Sequence, residues 1–343
     1  MSSVRMREIR RFTIAGGASR HRAFPGLLNL SSGEMLVAYR EGSDHWITED
    51  GVVKIVRSSD EGVSWSEPEL IFAESDWSCG VHHGPGQLSD GRIFLPVVSL
   101  RRRGGERALR AHLLCSEDEG KSWEDPILLG PTEGWVWQNQ YGRVQEFSDG
   151  RIFILGGGQK IGEEPCYSGY FVSHDGGETF PERIHIACGL ADELDVAQMG
   201  DGRLIAMIRD GKPHYLHRAY SVDEGRTWSK PERTEIIGHC PSFLVLPSGM
   251  LLLGHRQVNP SRNTGCTISA STDGGETWQL VSDIDTSPVR PFEPLPGEPG
   301  SKGHDCSYPS MIMLEDGRVF CAYYTVFQGG NSNIEGLIFE VEE

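Results

Sequence analysis

Residues 58–65 read SSDEGVSW, and the pattern Ser-x-Asp-x-Gly-x-(Ser/Thr)-aromatic returns at 116–123 (SEDEGKSW), 173–180 (SHDGGETF), 221–228 (SVDEGRTW) and 271–278 (STDGGETW). Five copies of an eight-residue pattern make a structural repeat. Each copy has the chemistry of a tight turn. The Asp carboxylate can bond backbone amides of its own loop, the glycine supplies a positive φ, and the aromatic ring can pack beneath a hairpin. The motif is expected to fold the chain rather than to catalyse.

Working outward from these turns, a second repeat interleaves with the first. An apolar strand, a turn ending in Gly and a second apolar strand occur as LLNLSSGEMLVAYR, GQLSDGRIFLPVV, VQEFSDGRIFILGG, VAQMGDGRLIAMIR, FLVLPSGMLLLGHR and MIMLEDGRVFCAYY. Their turn glycines, Gly33, Gly91, Gly150, Gly202, Gly249 and Gly317, stand 47 to 68 residues apart, room for four short strands per unit. The expected fold is therefore all-β: one domain, 1–343, folded as a six-bladed β-propeller with five Asp-containing turns. The blades are expected at about 17–73, 74–130, 131–185, 186–236, 237–285 and 286–343. The last unit is one strand short at the C-terminus, and Arg5 to Ile14 is expected to complete it, leaving no open sheet edge.

Composition narrows the partners. A formal net charge of −17 disfavours nucleic acid and anionic membrane surfaces, and no apolar run approaches the roughly 18 residues that span a bilayer. The first residues lack the apolar core of an export signal, so a cytoplasmic protein is expected, its eight cysteines scattered singly as free thiols. Gly156, Gly157, Gly158 and Gly162 lead from strand to strand and make no dinucleotide fingerprint. Neither a cofactor nor a metal is expected, since His82 and His83 alternate sides of a strand while His239 and His304 fall in separate blades. The run Arg101, Arg102, Arg103, Arg107 and Arg110 reads as a solvated loop.

Strand direction puts the Gly turns and the Asp loops on one end of the ring and the irregular loops on the other, where function is expected. Nine residues before each turn glycine come Phe24, His82, Tyr141, Glu193, Cys240 and Tyr308; seven after come Arg40, Val98, Gly157, Arg209, Arg256 and Tyr324. Three arginines, a glutamate and a tyrosine thus share one rim, with Arg22, Asp44, Asp50, His82, His83, Gln138, Asn139, His304 and Asp305 around them. Three cations gathered at one rim suit an anionic ligand.

The Asp boxes and these registers resemble the sialidases (neuraminidases) and their Asp-box relatives over essentially the whole chain. Glu193, Val196, Ala197, Met199, Asp201, Gly202 and Arg209 fit that family's fourth-blade pattern, and Tyr308 takes the place of its nucleophile. The resemblance implies an exo-acting, retaining hydrolase of a terminal acidic sugar. Tyr308 would be the nucleophile, Glu193 its base, and Arg209 and Arg256 holders of the sugar carboxylate. The acid/base would be an Asp of the first loop, Asp50 or Asp44. Ala23 stands where the family has its first arginine, which leaves Arg40 or Arg22 to replace it; Asn263 stands where the third is expected, beside Arg262. Two other functions compete. One is a propeller enzyme for another sugar, a uronate lyase or rhamnosidase, with His82, His83, His239 or His304 moving the proton. The other is a non-catalytic glycan-binding propeller with Trp46, Trp135 and Trp137 as stacking platforms. The proline-rich loop from Ser282 to His304 is expected to border the site.

Overall fold

The computed structural model describes the chain except residues 1–3, 18, 46–48, 82–83, 104–105, 164–165, 191–192, 211–213, 259–264, 286–305, 327–330 and 343. Within strands it leaves aside the side chains of 102, 103, 106, 107, 137 and 139–141. The described residues are all-β, without a helix. Antiparallel strands follow one another outward in arrays of four. The first array runs His21–Asn29, Met35–Gly42, Val52–Ser58 and Glu69–Phe72; the third runs Trp135–Glu146, Ile152–Lys160, Tyr167–Ser173 and Glu182–Cys188. In the second, the short pieces Ser78–Gly80 and Gly86–Gln87 both pair with Ile93–Arg103, followed by Glu106–Ser116 and Ile127–Gly130.

The fourth and fifth arrays form one seven-stranded sheet from Leu194–Gln198 to Gln279–Asp285. Its middle strand, Glu232–Val245, pairs first with Tyr215–Ser221 and then, from Gly238 on, with Leu251–Gln257. One strand is thus the outer member of the fourth array and the inner member of the fifth, and it runs unbroken through the boundary expected at 236/237. The sixth array is Ser307–Met313, Val319–Val326, Ser332–Glu342 and, paired antiparallel to the last, the N-terminal strand Arg5–Ala15.

Strand alternation explains how the arrays meet. Val37 and Tyr39 face one neighbour and Leu36 and Ala38 the other, so every array contributes to two apolar cores. The cores join first to second, second to third, third to fourth, fourth to fifth, fifth to sixth, and sixth back to first. Each buried Leu, Ile, Val or Phe in them contributes about 1.5–3 kcal/mol relative to exposure.

The two ends of the arrays differ. At one end all six turn glycines have φ between 83° and 93°, and each donates its N–H to the carbonyl three residues before it, as Gly33 does to Leu30 at 2.8 Å. The five Asp loops share that end. In the first, Ser58 Oγ donates to Asp60 Oδ1 (2.8 Å) and accepts Gly62 N–H (2.8 Å), while Asp60 accepts Ser64 N–H (2.8 Å) and Oγ–H (2.6 Å). At the other end the inner strands bulge. One extra residue enters between Ala23 and Gly26, His239 and Ser242, and Ser307 and Ser310.

Candidate functional site

Each of those three bulges carries a bulky residue at positive φ, Phe24 at 60°, Cys240 at 43° and Tyr308 at 48°, the last preceded by Ser307 at 94°. All three are followed by proline, which has no N–H to give to a ladder and so tolerates a bulge. A bulky residue with positive φ costs roughly 1–2 kcal/mol. The bulge re-aims the side chain, here inward. The Tyr308 ring packs on Phe24 with centroids 4.7 Å apart and on Tyr324 at 6.1 Å, and all three are buried.

Glu193 meets Tyr308 from the start of the fourth array. The Tyr308 hydroxyl donates to Glu193 Oε1, while Oε2 accepts Arg209 Nη1 at 2.8 Å and the Cys240 amide at 2.9 Å. Burial alone would raise the Glu193 carboxyl, but the Arg209 guanidinium, the tyrosine bond and Arg256 outweigh it and hold the group well below the usual carboxylate range. Burial and the neighbouring carboxylate push the Tyr308 phenol well above its ordinary value. The pair therefore rests as a neutral phenol bonded to a carboxylate. Arg256 completes it: Nε donates to the Cys306 carbonyl (2.7 Å), Nη2 to the Tyr324 oxygen (3.0 Å), and its guanidinium carbon lies 5.2 Å from the Tyr308 ring centre.

Of the residues expected at the rim, Tyr308, Glu193, Arg209 and Arg256 come together. Arg40 keeps the shared register, but its array faces a different neighbour. Its fully buried head donates to Ser78 Oγ (3.1 Å) between the first and second arrays, where a Cβ on Gly42 would stand 2.5 Å from Nη2. Arg22 is held by Glu41 at 2.9 Å, and Glu41 also takes Lys54 at 2.8 Å. Gln138, expected as a sugar ligand, instead accepts the Thr132 amide at 2.7 Å and pins the link between the second and third arrays. Asp50 accepts Arg20 Nη1 at 2.9 Å and the Ser43 amide at 3.1 Å, whereas Asp44 accepts the His45 amide at 2.7 Å. His82, His83, His304, Asp305, Arg262, Asn263 and Trp46 lie outside the described residues, as do the side chains of Asn139 and Trp137 and most of the expected bordering loop.

Histidines border the Tyr308–Glu193 pair on two sides. The half-buried His45 ring sits edge-on to Phe24 (5.2 Å) and His21 (5.5 Å), and His21 reaches Tyr324 (5.9 Å). On the far side His214 bonds His239 ring to ring at 2.9 Å, and burial, with Arg209 adjacent, pushes His239 down to about 2. Phe24 takes the register position nine residues before Gly33, as Tyr308 does before Gly317, whereas His214 follows no register. Among the described residues no cluster of three or more His, Cys, Asp or Glu could hold a metal ion.

A family model described as a BNR repeat-like domain matches residues 12–127 and 106–321. A protein called a sialidase from Bacteroides fragilis is 25% identical over 304 residues, covering 76% of this chain and 55% of its own; the chain thus spans about half the length of that curated relative. Among solved structures, a protein of unknown function from Dyadobacter fermentans superposes with a TM-score of 0.80 at 22% identity, over 98% of this chain and 99% of its own. The Hadza microbial sialidase Hz136 does so with a TM-score of 0.70 at 19% identity, over 97% and 68%.

Proposed function

We propose that this chain, which belongs to the BNR repeat-like domain family of the sialidase superfamily, is a glycoside hydrolase of sialidase type that releases a terminal acidic sugar with retention of configuration. The observation that carries the reading is the buried Tyr308–Glu193 hydrogen bond flanked by Arg209 and Arg256. On this reading the six arrays are the blades of one propeller, and the bulged ends of the inner strands line its working funnel.

The mechanism follows from charge. A sugar carboxylate on the anomeric carbon would repel a carboxylate nucleophile, whereas a neutral phenol approaches without that cost. Glu193 takes the phenolic proton as the oxygen attacks. With Arg209 bonded to it, Glu193 is a weak base; a substrate carboxylate that draws Arg209 away raises its basicity at the moment of use. Proton transfer and anion binding are thereby coupled through one guanidinium. The resemblance assigns the acid/base to an aspartate of the first loop, Asp44 or Asp50.

A screen of nitrophenyl sialosides, uronosides and neutral glycosides tests the reading, with hydrolysis of the sialosides expected and a fluorinated sialoside labelling Tyr308. A second reading, proton abstraction by histidine in a uronate lyase, draws on the His214–His239 pair. An unsaturated product, lighter by one water than the hydrolysis product, would select it.

A further inference from the structure

The group that hands a proton to the departing oxygen need not be an aspartate. We propose that His45 is the acid/base of the reaction, an inference that rests on the function proposed above. Glu193 approaches Tyr308 from the fourth array, so a leaving-group acid belongs on the other side of the bound sugar. The first array supplies that side: Phe24 packs on Tyr308 at 4.7 Å and His45 on Phe24 at 5.2 Å, which keeps the His45 and Tyr308 ring centres no more than about 10 Å apart.

The aspartates fit the task less well. Asp50 accepts from Arg20 Nη1, the Ser43 amide and the Ser43 hydroxyl, three donors that favour its ionised form. Asp44 turns one oxygen back onto the His45 amide, which fixes the turn that carries the imidazole. His45 is largely but not fully buried, so part of its ring stays open to a leaving group and an incoming water. Imidazole also titrates near neutral pH, where one group can serve as acid and then as base.

The steps balance. In the first, the Tyr308 oxygen bonds the anomeric carbon and its proton passes to Glu193. The glycosidic C–O bond breaks, and the departing oxygen takes the His45 imidazolium proton and leaves as an alcohol. In the second, water attacks the anomeric carbon, neutral His45 takes the water proton, and the Tyr308–carbon bond breaks with return of the proton from Glu193.

The test uses the full chain and two substrates, a nitrophenyl sialoside whose phenolate leaves without help and a methyl sialoside whose alkoxide needs a proton. His45→Gln is expected to lower kcat/KM for the methyl sialoside roughly 10²-fold or more, and for the nitrophenyl sialoside by less than about 10-fold. Asp44→Asn and Asp50→Asn should affect both substrates alike, and a thermal melt confirms that each variant is folded. Equal loss on both substrates, no loss, or a selective loss in either aspartate variant in place of His45→Gln would overturn the assignment. Tyr308→Phe, assayed alongside, tests the underlying reading separately: it must be inactive on both substrates. A wild type inactive on both defeats the reading and the inference together.

Discussion

The two ends of the inner strands are built on opposite terms. At the turn end, five Asp loops repeat the same four hydrogen bonds, all between 2.5 and 3.0 Å, and six glycines share one φ within about 10°. At the rim the same strands bulge, carry Phe24, Cys240 and Tyr308 at positive φ, and bury a carboxylate against arginine and phenol. Where the sequence repeats itself, local rules agree with the fold and each Asp loop bonds its own Ser, Asp and Gly groups. Where it breaks its own repeat, strain and charge collect, and chemistry is to be sought there.

The sharpest way to break this comparison is at the rim. Tyr308→Phe removes one oxygen and leaves the packing on Phe24 and Tyr324, so stability should fall only by the lost bond to buried Glu193, about 1–3 kcal/mol, while turnover falls on the order of 10⁴-fold or more. Steady-state rates and a denaturant titration on one preparation separate the two effects. Substantial turnover by this variant would remove Tyr308 from the mechanism. Glu193→Gln should follow, with activity down on the order of 10²–10³-fold because the phenol loses its base. It should also lower stability by about 1–3 kcal/mol, since Arg209, itself partly exposed, loses a buried counter-charge.

The same contrast decides what could be read in advance. The Asp loops, the turn glycines and the N-terminal strand pairing with Ser332–Glu342 depend on residues within eight positions of one another, or on a count of strands. Tyr308 and Glu193 were reachable too, because they sit at a fixed distance from a turn glycine. Arg22 and Asp50 were not, because their partners, Glu41 and Arg20, are set by how the first array closes on itself. Arg40 carries the register of Arg209 and Arg256, but register fixes only height along the ring axis. Which core the head enters depends on the neighbouring array. The unbroken strand Glu232–Val245 escaped for a related reason: the chain passes from an outer to an inner strand without a turn, and Gly238, where the pairing changes over, sits inside the strand rather than in a loop, with the Cys240-Pro241 bulge just beyond.

A glycine at each end sharpens the comparison further. Gly254 lies against Pro309, the residue after Tyr308, where an added Cβ would stand 2.6 Å from the ring. Gly254→Ala should lower stability by about 1–3 kcal/mol and, by shifting the bulge that aims the phenol, cut kcat roughly 10-fold or more. Gly249, at φ 86° in a turn with nothing near its missing Cβ, offers the control: Gly249→Ala should cost about 1 kcal/mol in backbone strain and leave kcat unchanged. If both variants lower kcat equally, the ends are not separable and the contrast fails.

The smallest effect expected belongs to the turn end and is read in acid. The Ser64 and Ser122 donors hold the carboxyls of Asp60 and Asp118 down to about 2, against 3.8 for an unperturbed Asp. A carboxyl whose folded value lies below its unfolded one binds fewer protons when folded, so its contribution to stability is present in full above about pH 4. That contribution is lost as the pH falls toward about 2. The denaturation midpoint of the wild type should therefore drop between pH 4 and 2, and Asp60→Asn should flatten that slope by no more than one proton because the variant has nothing to titrate at that loop. Activity at neutral pH should be the same for both, since this carboxylate orders a turn at the end of the array away from Tyr308. An Asp60→Asn variant with unchanged acid slope would mean that the repeated loop draws its stability from the serine and glycine bonds alone, and the carboxylate would then be one partner of the turn rather than its organiser.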